Sequence, residues 1–145
     1  MPDPSPALIL AFDFGLRRIG IAAGSTVTRT ASPRRTVANG PSGPDWAAIE
    51  RELRDYGPTL LLVGAPYNDD GSPGSLAPAA SRFATELQTR SGLPVERIDE
   101  SYSSVEAAAT LKAGRAAGTR GRVKRGDIDS AAAAVLLDSY LRKNA

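Results

Sequence analysis

Apolar residues along this chain fall in short blocks separated by turns. Leu8-Ile9-Leu10-Ala11-Phe12 is an unbroken apolar run, the pattern of a strand buried on both faces. A second block over residues 19–23 reads as its hairpin partner. Residues 26–37, with the β-branched Thr26, Val27, Thr28 and Thr30, predict a third strand, which Pro33 confines to an edge. Residues 41–44 read as a turn. A helix is predicted over residues 45–56, with Trp46, Ile49 and Leu53 on one stripe and Gly57-Pro58 as its stop. Leu60-Leu61-Leu62-Val63 predicts a short strand at the centre of a parallel sheet, and the Gly-, Pro-, Asn- and Asp-rich residues 64–76 a loop. A second helix follows over residues 78–90, with Phe83 and Leu87 facing inward, and then a fifth strand over residues 94–98. Ser103-Ser104-Val105-Glu106 has the spacing of a capping box that opens a third helix. The last helix is predicted over residues 127–141. This order describes one mixed sheet carrying helices.

Asp13 interrupts the pattern. It ends the first apolar run, where an uncompensated carboxylate is costly to bury, so either it is hydrogen-bonded for structural reasons or it binds a cation. Two more acids stand in comparable settings. Glu100 follows directly on the fifth strand, and the carboxyl ends of parallel strands are where α/β sheets bind ligands. Asp129 lies three, four and seven residues before Ala132, Ala133 and Leu136, which puts it on the buried stripe of the last helix. Asp127 suits the cap of that helix instead. Strand alternation turns Asp99 away from Glu100.

Composition narrows the chemistry. The 145 residues include no cysteine and no histidine, which removes disulfides, thiolate metal sites, the usual zinc ligand and every histidine-based triad. Three carboxylates without histidine form a hard, all-oxygen set suited to Mg²⁺ or Mn²⁺. Two such ions about 3.5–4 Å apart could activate water and stabilise the leaving oxygen of a phosphodiester. No apolar run approaches the roughly 20 residues that span a bilayer, and residues 1–6 lack the features of a signal peptide. The expectation is a soluble, cytoplasmic protein with no membrane partner.

The net charge is only +2, but the cations are unevenly placed. Arg115, Arg120, Arg122, Lys124 and Arg125 crowd a glycine-interleaved run without an acid, leading directly towards Asp129. Such a run is either a solvated connector or a strip that holds a polyanion over the acids. Arg17 and Arg18, at the tip of the first hairpin, could extend the same surface.

The stretch Phe12-Asp13-Phe14-Gly15-Leu16-Arg17-Arg18-Ile19-Gly20-Ile21-Ala22 resembles the opening motif of the bacterial Holliday-junction-resolvase-like proteins, a family also described as pre-16S rRNA nucleases. The resemblance continues through Val63-Gly64-Ala65-Pro66-Tyr67-Asn68-Asp69-Asp70-Gly71, Asp99-Glu100-Ser101-Tyr102-Ser103-Ser104-Val105-Glu106-Ala107 and Asp129-Ser130-Ala131-Ala132-Ala133-Ala134. It departs at Ser101, where the family usually has arginine, and at Ala65 and Tyr67, which replace common leucines. The resemblance implies an α/β, ribonuclease H-like fold: a five-stranded mixed sheet, order 3-2-1-4-5, flanked by helices. Residues 1–7 are then expected to form a flexible tail and residues 8–145 a single nuclease domain. The family's metal-binding acids map onto Asp13, Glu100 and Asp129.

The leading expectation is a metal-dependent endonuclease acting on structured nucleic acid. By resemblance its substrate is the 5′ end of precursor 16S ribosomal RNA, and the alternative is branched DNA, the four-way Holliday junction. The chain could act as a monomer or homodimer, and symmetric junction cleavage needs the dimer. A sugar-kinase or actin-like ATPase also opens its phosphate hairpin with Asp-x-Gly, but needs a second lobe that 145 residues do not supply. An inactive nucleic-acid-binding module has no use for three buried acids, which alone only destabilise.

Overall fold

The computed structural model describes residues 7–65, 77–99 and 125–143, with the side chains of 99, 125–129 and 143 left undescribed. Six strands form one sheet. β1 (Leu8–Phe14) and β2 (Arg18–Ser25) make the antiparallel hairpin that the apolar blocks predict, and β3 (Ala31–Gly40) pairs antiparallel with β2. β4 (Gly43–Pro44) adds two residues beside Asn39 and Gly40. β5 (Leu60–Ala65) and β6 (Val95–Asp99) continue the sheet in parallel from β1. The order is β4-β3-β2-β1-β5-β6.

This corrects the expected sheet in two respects. It has six strands rather than five, and its order differs from 3-2-1-4-5 because β4 takes the edge expected for the third strand. The residues read as a bare turn, 41–44, close a tight hairpin whose return arm still pairs. The third strand also starts later than its β-branched residues suggest. Thr28 donates its backbone N–H to Ser25 Oγ (3.2 Å), Arg29 N–H bonds to Ser25 O (2.9 Å), and Arg29 takes a left-handed φ of 54°. Local hydroxyl-to-backbone bonds turn the chain there before it can extend. Pro33 sits beyond the span covered by β4 and next to a register shift opposite Ile21 and Ala22, positions where its missing N–H costs no ladder bond.

Helices cover both faces. α1 (Trp46–Tyr56) begins at Asp45, whose side chain accepts from Ala48 N–H at 3.2 Å, and is closed by Gly57. α2 (Ala77–Ser91) buries Ala80, Phe83, Ala84 and Leu87. These two helices enclose Leu10, Phe12, Ile19, Ile21, Leu61 and Val63 of the sheet. Phe83 is the hub of that layer, with ring centroids 5.8 Å from Phe12, 5.3 Å from Phe14 and 5.4 Å from Trp46. α3 (Arg125–Lys143) packs on the other face, where Ala133, Leu136, Leu137 and Leu141 meet Ile9, Ala11, Ala22 and Leu62. Because α3 starts at Arg125, Asp127 is its third residue rather than its cap, a correction of the size that helix ends commonly show. The capping box at Ser103 and the helix it opens lie outside the described residues. Among the described residues no helix is long and apolar enough to cross a membrane.

Candidate active site

The parallel register sets out the site row by row. Asp13 pairs with Gly20 of β2 and Gly64 of β5, and Gly64 pairs in turn with Ile98 of β6. Residues in one such row point to one face. Alternation with Ile9 and Ala11 puts Asp13 on the α3 face. The residue is buried, 8% exposed, at the carboxyl end of the central strand. Oδ1 is enclosed and accepts no hydrogen bond among the described residues, although the residue as a whole does interact with its surroundings.

α3 runs towards that same end. Leu136 sits on Gly64 in Asp13's row, where Cδ1 lies 2.1 Å from the place a Cβ would occupy. Leu137 lies over Gly24, the partner of Ile9, and Leu141 shares a small cavity with Ala7, Ile9 and Leu60 at the start of β1 and β5. The helix therefore runs in the opposite sense to β1, and Asp129, seven residues before Leu136, stands about 10 Å back along the helix axis, in the direction of the carboxyl end. Ser130 beside it is buried. β6 ends at Asp99, and the expected Glu100 lies outside the described residues. Asp13 is thus the one proposed ligand whose side chain is described, and among the described side chains no three acids gather as a metal-binding group.

The cations divide in the same way. Arg17 is exposed and Arg18 half-buried in the turn and first residue of β2, close to Asp13 in sequence and space. Arg125 opens α3. Arg115, Arg120, Arg122 and Lys124 lie outside the described residues.

Two residues at this end escaped the sequence reading. Asn39 is buried; its Nδ2 donates to Gly15 O (2.6 Å) and its N–H to Arg17 O (2.8 Å), which fixes the turn between β1 and β2. The only sequence signal was Asn39-Gly40, a pair that ordinarily marks a turn of its own. Gly64, expected as the first residue of the 64–76 loop, instead belongs with Ala65 to β5, where it pairs with Asp13 and leaves the space that α3 occupies.

Among the described residues, a central mixed sheet with two helices on one face, one on the other and a carboxylate at the end of β1 matches a ribonuclease H-like fold. Solved structures share it. T. thermophilus RuvC in complex with a Holliday junction substrate superposes with a TM-score of 0.56, at 15% identity over 94% of this chain and 95% of that one. The fowlpox virus resolvase with its Holliday junction DNA gives 0.55, at 14% identity over 94% and 98%. The family description "RuvX: Holliday junction resolvase" matches residues 7–143, and the chain belongs to that family, which places it among the nucleases. A protein of Nitrosococcus oceani named "Putative pre-16S rRNA nuclease" is 43% identical over 141 residues, 97% of this chain and 90% of its own. One of the same name from Edwardsiella ictaluri is 42% identical over 136 residues, 94% of this chain and 95% of its own.

Proposed function

We propose that this protein is a divalent-metal-dependent endonuclease that cleaves phosphodiesters in structured nucleic acid, in the 5′-end maturation of precursor 16S ribosomal RNA. The observation that carries the reading is the buried Asp13 carboxylate at the end of the central strand, towards which the helix bearing Asp129 runs. The names of its relatives supply the RNA substrate.

Asp13, Glu100 and Asp129 are the residues that would hold the metal. The donor chemistry fits: the chain has neither histidine nor cysteine, and carboxylate oxygens suit Mg²⁺ or Mn²⁺ rather than zinc. Such ions, two in number, supply the acidity that makes water a nucleophile at neutral pH and the charge that steadies a leaving oxygen. The protein's own contribution is position. Asp13 is held by ladders on both sides, so its carboxylate needs little reorganisation to act. Arg17, Arg18 and the run Arg115, Arg120, Arg122, Lys124 and Arg125 would neutralise phosphates on either side of the cut, which orients a strand without reading its bases.

Cleavage of four-way DNA junctions is the second reading, favoured by the family's description, and it would require a homodimer to cut two strands symmetrically. A side-by-side assay with Mn²⁺ or Mg²⁺ separates the two. Cleavage at the 5′ boundary of a precursor 16S fragment, with a synthetic junction left intact, is expected; the reverse pattern would transfer the assignment to DNA.

A further inference from the structure

Only two large apolar side chains stand out into solvent among the described residues, Leu16 and Val27. Val27 lies in the turn after β2, at the far end of the sheet from Asp13. Leu16 is 67% exposed and only three residues beyond Asp13, so its Cα is within about 11 Å of the aspartate's. Scattered exposed leucines need no explanation. This one is distinguished by how it is presented and by what lies beside it.

The turn that carries it is fixed on both sides. Asn39 bonds to Gly15 O and Arg17 O, the residues immediately before and after Leu16. Gly15 lies so close to the returning strand that a Cβ there would be 2.7 Å from Arg18 O. A leucine on a floppy tip would fold back onto the protein, whereas this one is held outward. Exposed Arg17 follows it directly, a cation suited to the phosphate of any strand that Leu16 touches.

Leu16 itself lines one side of a cleft of about 480 Å³ that opens between the hairpin tip, the β3–β4 turn and α2, on the face of the sheet away from Asp13. Phe14, Trp46 and Phe83 form its apolar wall, and Ser42, Arg82 and Glu86 contribute polar groups. Trp46 is clamped between Phe83 and the Arg90 guanidinium, 4.4 Å from its ring centre, so the wall is rigid. The volume falls within the range of small-molecule sites, about 300–1,000 Å³, and easily admits one nucleobase.

We propose that Leu16 is a wedge that enters the base stack of the nucleic-acid substrate beside the scissile phosphate, and that the cleft takes up the base it displaces. Proteins that kink nucleic acids use leucine and similar side chains in this way, offsetting lost stacking with new contacts. A separation from Asp13 of at most about 11 Å corresponds to no more than roughly three stacked bases at 3.4 Å each, so the wedge would act within a few nucleotides of the cut. The consequence is a preference for sites where a base is already unpaired or easily unstacked, such as a branch or a duplex end. This inference rests on the nuclease reading and refines its specificity.

The test uses an oligonucleotide duplex with 2-aminopurine near the cleavage site, bound in Ca²⁺ and then cleaved in Mn²⁺. The full-length protein is expected to raise the probe's fluorescence on binding. Leu16→Ala should bind but lose the rise, and should cleave the paired substrate about tenfold less well while cutting one with an unpaired base normally, because that base needs no unstacking. Leu16→Phe should restore both. Ala79→Phe, which fills the cleft and leaves the wedge, is expected to reproduce the loss. If the protein cleaves but Leu16→Ala changes neither fluorescence nor the paired-to-unpaired ratio, the wedge is refuted and the nuclease reading stands. If Ala79→Phe alone has no effect, the cleft is not the receiving site. A wild-type protein that neither binds nor cleaves would overturn both proposals together.

Discussion

Leu136 Cδ1 lies 2.1 Å from the point where a Cβ on Gly64 would stand, with Ile98 O a further constraint at 3.1 Å. Gly64 is Asp13's partner in β5, and Leu136 belongs to the helix that carries Asp129. One missing methyl group therefore sets how closely α3 approaches the carboxylate row.

Gly64→Ala should lift the helix at this point. Leu136 is fully buried and has little room to turn aside, so the cost should be about 1–3 kcal/mol, as for other overpacked cores. Cleavage should fall further than the stability loss explains. Adding Leu136→Ala should recover part of both, since contacting residues couple. Urea unfolding of the two single variants and the double gives the answer; simple additivity would mean that the two residues do not act on each other.

Glu52 provides a contrast on the opposite face. Its buried carboxylate accepts from Arg34 Nε at 2.5 Å, with Arg35 Nη1 at 4.0 Å, joining α1 to β3. Glu52→Ala should cost about 1–3 kcal/mol by leaving these guanidinium groups without their acceptor, towards the lower end because water reaches both arginines. Cleavage per folded molecule should be unchanged. A variant that is stable but inactive would show that this face takes part in the reaction.

The contrast between these sites shows what the chain reveals before folding. β1, β2 and β5 were legible because burial on both faces leaves unbroken apolar runs, and α1 and α2 because their stripes recur at helical spacing. β4 was not, since two residues carry no periodicity. The start of β3 was misread because Ser25 and Thr28 bond locally, a choice that β-branched composition hides. Asp127 looked like a cap because it is the acid before the last apolar stripe, yet the helix extends two residues further back. Within the candidate site, Asp13 was conspicuous as a carboxylate ending an apolar run. Asn39 and Gly64 were not, because each matters only through a neighbour brought close by strand pairing.

Tyr140 gives the fold an alkaline limit. Burial, then the hydrogen bond to Glu96, then the charge of Glu96 push its hydroxyl up to about 12, against about 10 for an unfolded tyrosine. Between about pH 10 and 12 the folded state keeps a proton that the unfolded chain releases, so stability is fully present below 10 and declines as pH rises through that window. Tyr140→Phe should lessen the decline. It should not abolish it, because burial also raises Tyr56, against the opposing charge of Arg34. Urea midpoints at pH 9 and 11 measure the difference; an identical decline in the variant would remove Tyr140 from the account.

The basic run should act through charge alone. Each duplex phosphate neutralised contributes about −0.9 to the slope of log K against log salt. Replacing Arg122, Lys124 and Arg125 with alanine should flatten that slope by up to about three such increments and leave metal affinity nearly unchanged. Binding titrations across salt in Ca²⁺ provide the slope. If it does not change, the run is a solvated connector, and the phosphates must be held by Arg17, Arg18 and the β3 arginines.

The central claim is that Asp13 is a metal ligand of a nuclease, and the most direct measurement is cleavage of a precursor 16S fragment by Asp13→Asn in Mn²⁺. Asparagine preserves the shape of the side chain and removes its charge, so the variant should fold with a melting temperature at or above that of the parent, because clustered carboxylates repel one another when no metal is bound. It should show no cleavage at any Mn²⁺ concentration, and the parent should lose activity in EDTA. Full activity in Asp13→Asn, or in the parent with EDTA present, would contradict the account.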